Sequence, residues 1–138
     1  MEITLPKLRE NIRNLVSILD RERISSLKDL TERLDRIFPI EDGKEACVGI
    51  ELRPSNGGTM AYTLFYTERG AGIPIELRVN PNLGYSTLIV KSEKPIPGYE
   101  LFGRDMYGNL QQQRRLQTTD FPTVRKELES LAVSPENN

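Results

Sequence analysis

The sequence contains no histidine. Histidine is the most common general base near neutral pH and a frequent metal ligand, so its absence argues against both kinds of site. The single cysteine, Cys47, excludes a disulfide within the chain and suits a reducing compartment. With no histidine to activate it, we interpret Cys47 as a packed strand residue. We therefore expect no catalytic residue, no cofactor and no metal site.

Long apolar runs and clusters of one charge are also missing. No segment approaches the roughly 20 apolar residues that cross a bilayer, and the start lacks the pattern of a signal peptide. The 19 Lys and Arg residues are interspersed with 20 Asp and Glu residues. This balance argues against nucleic-acid binding and against a polybasic membrane anchor, although the short run at 111–115 leaves a nucleic-acid contact open. We expect an intracellular protein whose partners are neither nucleic acid nor membrane.

An amphipathic pattern dominates residues 5–38. The first run has spacings of three and four residues, the a/d rhythm of a narrow apolar seam on a helix predicted over residues 5–23. This seam consists of Leu5, Leu8, Ile12, Leu15 and Leu19. A second run continues one residue out of phase and consists of Leu27, Leu30, Leu34 and Ile37.

Residues 24–26 interrupt the phase between the two runs. Ser26 followed by Asp29 resembles a capping box, which predicts a break and a second helix over residues 27–38. Pro39 would end that second helix. The alternative is one long helix with a one-residue skip in its heptad phase.

The seam of Leu5, Leu8, Ile12, Leu15 and Leu19 is the predicted partner interface. Its stripe is narrower than that of a typical core helix, and an isolated helix of this length needs a surface to pack on. The alternative is an amphipathic helix folded on its own sheet. If the seam faces another chain, Ile12→Asp with Leu15→Asp should abolish capture of that partner and leave the sheet folded.

A polar connection is predicted at 40–45, and after it the apolar pattern changes to the two-residue period of strands. This pattern predicts four strands, over residues 48–52, 60–66, 73–79 and 85–91, joined as an antiparallel meander, and the sheet is predicted to end at Pro95, Pro97 and Gly98. Residues 99–108 are interpreted as a packed loop with a short helical turn, and residues 109–117 as a polar, helix-compatible segment. A last helix is predicted from Phe121, Val124, Leu128 and Leu131, capped by Thr119 or Asp120.

The predicted fold class is therefore α+β: N-terminal helices (a possible coiled coil), a four-stranded antiparallel meander and a C-terminal helix on the sheet. The predicted domains are a helical segment at 1–38, an α+β domain at 46–133 and a flexible tail at 134–138.

The aromatic residues Tyr99, Phe102 and Tyr107 could anchor a protein partner or plug the edge of the sheet. Of these two alternatives we favour the plug.

The order of helix, meander, proline-containing loop and closing helix resembles the RWD fold, which is related to ubiquitin-conjugating enzymes. The His-Pro-Asn motif of those enzymes has its nearest match here at residues 80–82, without a histidine and without a following cysteine. The conjugating activity is therefore not implied.

Other residues resemble a narrower family, the globular heads of the spindle-pole-component subunits of the kinetochore. The matching positions are the alternation at 75–79, Tyr85, Val90, Pro95, residues 119–121, Val124, Arg125 and Leu128. The resemblance implies a non-catalytic protein-interaction module in the nucleus. It would pair with a heterodimeric sister subunit through the leading helices. The pair would link centromere-side receptors to the microtubule-binding rod during chromosome segregation.

Two other classes of function stay open. A bacterial secretion chaperone, or a similar small dimeric binding protein, is also short, mildly acidic and α+β. An enzyme with an unrecognised site is the third hypothesis, and the lack of a convergent polar constellation argues against it.

Overall fold

The computed structural model describes residues 2–26, 29, 32, 40–41, 44–54, 60–68 and 72–133, with the backbone alone described at 40–41, 44–53, 60 and 68. Within these ranges, helix α1 (Leu5–Arg21) precedes an antiparallel sheet and helix α2 (Phe121–Ala132) follows it. This arrangement confirms the predicted α+β class.

Seven strands are described in the sheet. They are β1 (Ile40–Glu41), β2 (Lys44–Pro54), β3 (Met60–Glu68), β4 (Ile75–Asn80), β5 (Tyr85–Ser92), β6 (Glu100–Arg104) and β7 (Leu110–Leu116). Their spatial order is β1-β2-β3-β4-β5-β7-β6, and the paired neighbours run antiparallel. The predicted four-strand meander is confirmed as β2 to β5.

Three predictions about the rest of the sheet were wrong. The polar connection at 40–45 contains β1, the packed loop at 99–108 contains β6, and the helix-compatible segment at 109–117 is β7. β7 adds directly to β5, so the sheet does not end at Pro95. β6 then pairs with β7 and forms the last strand of the described sheet on that side.

A buried glutamine explains why the polar segment Leu110–Leu116 is a strand. Gln112 is fully buried. Its amide nitrogen donates to the Ser92 hydroxyl at 2.9 Å and to the Lys94 carbonyl at 3.1 Å, and its amide oxygen accepts from the Ile96 N–H at 2.6 Å. Because a buried amide costs free energy unless it is hydrogen-bonded, these partners favour the strand over the helix that the polar composition allows.

Helix α1 ends two residues earlier than predicted. Arg23 adopts the left-handed conformation, with φ of 54°. Its N–H donates to the Asp20 carbonyl at 3.0 Å, and the Ile24 N–H donates to the Leu19 carbonyl at 2.9 Å. These two bonds form a Schellman motif, in which Ile24 and Leu19 are both buried. The predicted break at 24–26 is therefore confirmed.

The predicted capping box follows the break. The Asp29 N–H donates to the Ser26 hydroxyl at 3.1 Å, and the Asp29 carboxylate accepts from the Ser25 N–H at 3.3 Å. Asp29 and Glu32 are helical. The apolar positions predicted for the second helix, Leu27, Leu30, Leu34 and Ile37, lie outside the described residues.

Helices α1 and α2 pack on the same face of the sheet and on each other. Asp120 caps α2 by accepting from the Thr123 N–H at 3.3 Å, which selects it over Thr119. The Arg13 guanidinium donates to the Ala132 carbonyl at 3.1 Å, and Arg125 forms an ion pair with Asp20. No helix in the described part of the chain has the length and apolar character that crossing a bilayer requires.

The structure corrects the predicted partner interface. Leu8, Ile12, Leu15 and Leu19 are at most 1% exposed, because they pack in the chain's own core against α2 and the sheet, and Leu5 is half-buried. Asn11 and Ile18 are buried on the same side of α1, so the stripe is wider than the a/d residues alone indicate. The alternative stated for this helix, folding on its own sheet, is the arrangement observed.

Truncation of a seam residue should therefore destabilise the monomer itself. We expect Ile12→Ala to lower the free energy of unfolding by about 2–5 kcal/mol in a urea titration. Ser17→Ala, at an exposed position of the same helix, should change it by less than about 0.5 kcal/mol. Ile12→Asp with Leu15→Asp should unfold the sheet as well. Equal stability of the Ile12→Ala and Ser17→Ala variants would contradict this packing.

The end of α1 gives a second prediction. Arg23→Gly should raise the free energy of unfolding by about 0.5–1 kcal/mol, because glycine adopts a positive φ without the steric cost of a Cβ atom. Ser17→Gly, inside the helix, should lower it by about 0.5 kcal/mol. Thermal unfolding followed by circular dichroism would measure both, and a loss of stability in both variants would contradict the left-handed cap.

Candidate protein-binding surface

The β6–β7 hairpin presents apolar side chains to solvent. Every residue of β6 is exposed. Leu101 and Phe102 on this strand are 51% and 47% exposed, and Met106 and Tyr107 in the following turn are 87% and 59% exposed. We call these four side chains the hairpin patch. Clustered exposed apolar side chains on a protein surface are typical of interaction sites.

The hairpin patch holds most of the large apolar groups that the described residues expose. Outside the patch, the exposed large hydrophobic residues are Leu83, in the turn between β4 and β5, and Val133, after α2. Isolated apolar side chains of that kind are normal on protein surfaces. The concentration of four within seven residues of sequence is what distinguishes the hairpin.

A β-bulge interrupts the outermost strand at the patch. Leu101 is paired with Gln112 and Gly103 with Gln111, so Phe102 is an additional residue with no partner of its own on β7. A bulge twists an edge strand and disrupts its regular row of hydrogen-bonding groups, which hinders the addition of another strand. The side chains of the patch, and not the backbone edge, are therefore the feature suited to binding.

The turn that carries Met106 and Tyr107 is fixed by one carboxylate. An Asp105 oxygen accepts from the Tyr107 N–H at 2.8 Å and from the Asn109 N–H at 2.9 Å, and the other oxygen accepts from the Asn109 side chain at 3.0 Å. The backbone closes the turn with the Asp105 N–H donating to the Asn109 carbonyl at 3.0 Å. Gly108 has φ of 86°, a conformation that favours glycine.

These hydrogen bonds change the acidity of Asp105. Partial desolvation acts to raise the pKa of its carboxyl group, but the hydrogen bonds from Asn109 and Tyr107, together with the charge of Lys91, outweigh that effect. The net result is a pKa below the usual value for aspartate. Asp105 is therefore ionised at neutral pH, in the form that accepts all of these bonds.

The turn of the hairpin is also attached to the segment before α1. The Asn109 side-chain oxygen accepts from the Ile3 N–H at 2.8 Å, and the Ile3 carbonyl accepts from the Glu93 N–H at 2.7 Å. Ile3 and Asn109 are both buried. The turn is thus fixed by hydrogen bonds within the hairpin and by a bond to another segment, which lowers the conformational entropy that its backbone loses on binding.

Sequence reasoning located this surface only in part. Tyr99 is half-buried and packs against the core, as the plug interpretation predicts, whereas Phe102 and Tyr107 are exposed and correct it. Leu101 and Met106 were missed, because only the aromatic residues of 99–108 were singled out. The signal that could have located them is the density of apolar residues in a segment that has neither a helical nor a strand period.

The single cysteine and the acidic residues offer no second candidate site in the part of the chain that the structure describes. Cys47 lies in β2, and its side chain lies outside the described part of the chain. Among the described residues, no group of three or more His, Cys, Asp or Glu side chains could hold a metal ion.

Comparison of the chain with protein-family models, with curated proteins and with solved structures found no match. The functional proposal therefore rests on the chain's own residues.

The Asp105 turn gives a prediction about pH. Because its folded-state pKa is lowered, the carboxylate stabilises the turn at neutral pH, and that contribution is lost as the pH falls through the folded-state pKa, which lies below the usual value for aspartate. An NMR titration of the Tyr107 and Asn109 amide signals should show this midpoint. Asp105→Asn should remove the transition and speed exchange of both amide hydrogens roughly tenfold at neutral pH. A midpoint above the usual aspartate value would contradict the turn geometry.

Proposed function

We propose that this chain is a non-catalytic protein-interaction domain that binds another protein through the hairpin patch. The observation that carries the proposal is the concentration of Leu101, Phe102, Met106 and Tyr107 on a hairpin whose turn is fixed by hydrogen bonds. Met, Phe and Tyr are enriched in protein interfaces, where a few such anchors supply most of the binding energy. The total absence of histidine supports the non-catalytic part of the proposal.

The partner should offer an apolar pocket with a polar rim. Complete burial of one large apolar side chain contributes about 1.5–3 kcal/mol, and association costs about 4–15 kcal/mol, so the four anchors would supply a large part of the binding energy but not all of it. A standard interface buries about 800 Å² on each partner, so the patch would be the centre of a larger contact. Glu100 and Arg104, at the two ends of β6, are exposed and suited to the rim.

A different protein suits this surface better than a second copy pairing through β6. Glu100 is paired with Gln113 and Arg104 with Leu110, and these β7 residues lie on opposite faces of the sheet. In an antiparallel pair of two β6 strands, Glu100 and Arg104 would therefore not meet on one face. The bulge at Phe102 also hinders continuous pairing.

The kinetochore resemblance proposes one class of partner, a sister subunit of a centromere complex. With four of the five seam residues buried in the chain's own core, such a subunit would bind at the hairpin patch and not along α1. Identifying the protein that binds the hairpin patch would test whether the partner is such a subunit.

Site-specific crosslinking tests the proposal. A photoreactive phenylalanine analogue at Tyr107 should crosslink to one predominant protein in cells of the source organism, identified by mass spectrometry. The same analogue at Leu83, which is 55% exposed on another turn, is the matched control and should give no such product. Identical products from the two positions, or crosslinks only to a second copy, would contradict the proposal.

Binding to the identified partner should then depend on the patch. Met106→Ser and Tyr107→Ser should each weaken it about tenfold or more, as expected for interface anchors. Leu83→Ser should leave the affinity unchanged. Because the altered side chains are exposed, we expect the variants to stay folded, so a loss of affinity would report on binding itself.

A further inference from the structure

A groove of about 520 Å³ lies on the helical side of the sheet. Its walls come from the first turns of α1, the connection between β5 and β6, Arg114 of β7 and the second half of α2. Leu5, Pro95, Ile96, Pro97, Leu131 and Val133 supply the apolar surface. Its volume is within the range of about 300–1,000 Å³ that is typical of small-molecule sites.

The connection that forms one wall is rigid. Gln112 binds the backbone of this segment at the Lys94 carbonyl and at the Ile96 N–H. Pro95 and Pro97, on either side of Ile96, restrict its backbone further. A preformed groove loses little entropy when it is filled, which favours binding of a small ligand.

The charges around the groove are unbalanced. Arg9, Lys94 and Arg114 contribute three cations, and Glu127 contributes one carboxylate. The Arg114 guanidinium lies 3.0 Å from the Glu127 carboxylate, whose side chain is only 12% exposed. Arg9 and Lys94 have no ion-pair partner within the described ranges. A ligand with one negative charge would complement these two cations.

A buried hydroxyl adds a second unusual feature. Tyr99 lines the groove, and its hydroxyl oxygen is buried without a hydrogen-bond partner among the described residues. Burial first, and then the Glu127 charge, raise the pKa of this hydroxyl, while Arg114 opposes them, so it keeps its proton and can donate. Buried polar groups are nearly always paired, so each exception calls for an explanation such as a bound water, an ion or a ligand.

We propose that the groove binds a small carboxylate with an aliphatic body, such as the anion of a medium-chain fatty acid. The aliphatic body would lie against the leucine, isoleucine and proline side chains, and the carboxylate would lie between Arg9 and Lys94. None of the hairpin-patch residues lines the groove. This proposal and the proposed protein-binding function can therefore fail independently.

Titration of the full chain with sodium decanoate, below its micelle concentration, tests the proposal. Calorimetry should show saturable one-to-one binding, and NMR should show shifts of the Ile96, Tyr99 and Leu131 amides. Decyltrimethylammonium, which has the same aliphatic chain and the opposite charge, should bind at least tenfold more weakly. Equal affinity for the two amphiphiles would overturn the proposal, because it would indicate non-specific apolar binding.

Matched charge variants locate the site. Arg9→Gln with Lys94→Gln should weaken decanoate binding at least tenfold. Arg23→Gln with Lys126→Gln removes two exposed cations that do not line the groove, and it should change the affinity less than twofold. Unchanged affinity in the first pair, or equal losses in both pairs, would overturn the assignment.

A third variant keeps the test decisive if the charge changes disturb folding. Ser130→Phe places a bulky ring at an exposed groove position on α2, and it should block decanoate without lowering the thermal unfolding midpoint. Full decanoate binding by this variant would overturn the proposal. So would tighter binding of a short peptide ending in leucine, which would make the groove a site for a peptide carboxyl terminus.

Discussion

The hydrogen bonds of Gln112 are the interaction on which both candidate surfaces depend. This one amide joins β7 to Ser92 on β5 and fixes the backbone of the following connection at Lys94 and Ile96. The connection forms a wall of the groove, and β7 is the strand with which β6, the strand that carries part of the hairpin patch, is paired. An apolar residue of similar size could fill the volume but would leave the Ile96 N–H without its partner, which is why a polar side chain is suited to this buried place.

The local features of the fold could be predicted from the sequence. The meander, the break after α1, the capping box at Ser26 and the cap of α2 each depend on residues close in sequence, and periodicity and capping preferences describe such features well. The partner for the α1 seam could not be predicted in the same way. The a/d spacing of Leu8, Ile12, Leu15 and Leu19 is compatible with a second chain and with the chain's own sheet. The burial of these four residues in the core of the folded chain distinguishes the two.

The strands after residue 95 were not predicted, because the interactions that stabilise them involve residues distant in sequence. Leu110–Leu116 has the polar composition of a solvated helix, and its strand conformation comes from pairing with β5 and from the burial of Gln112. Because the hairpin was not expected, Phe102 and Tyr107 were assigned to the core instead of to the surface. The groove depends on four segments that meet only in the folded chain, so no local pattern indicates it.

The contact between α1 and α2 has a consequence for synthesis of the protein on the ribosome. Asp20 and Arg125, which join the two helices, are 105 residues apart in sequence. At translation rates of 5–20 residues per second, α1 would emerge about 5–20 seconds before α2 exists to cover it. During that interval Leu8, Ile12, Leu15 and Leu19 remain accessible to chaperones of the nascent chain. The seam that is closed in the native domain is thus open while the rest of the chain is being synthesised.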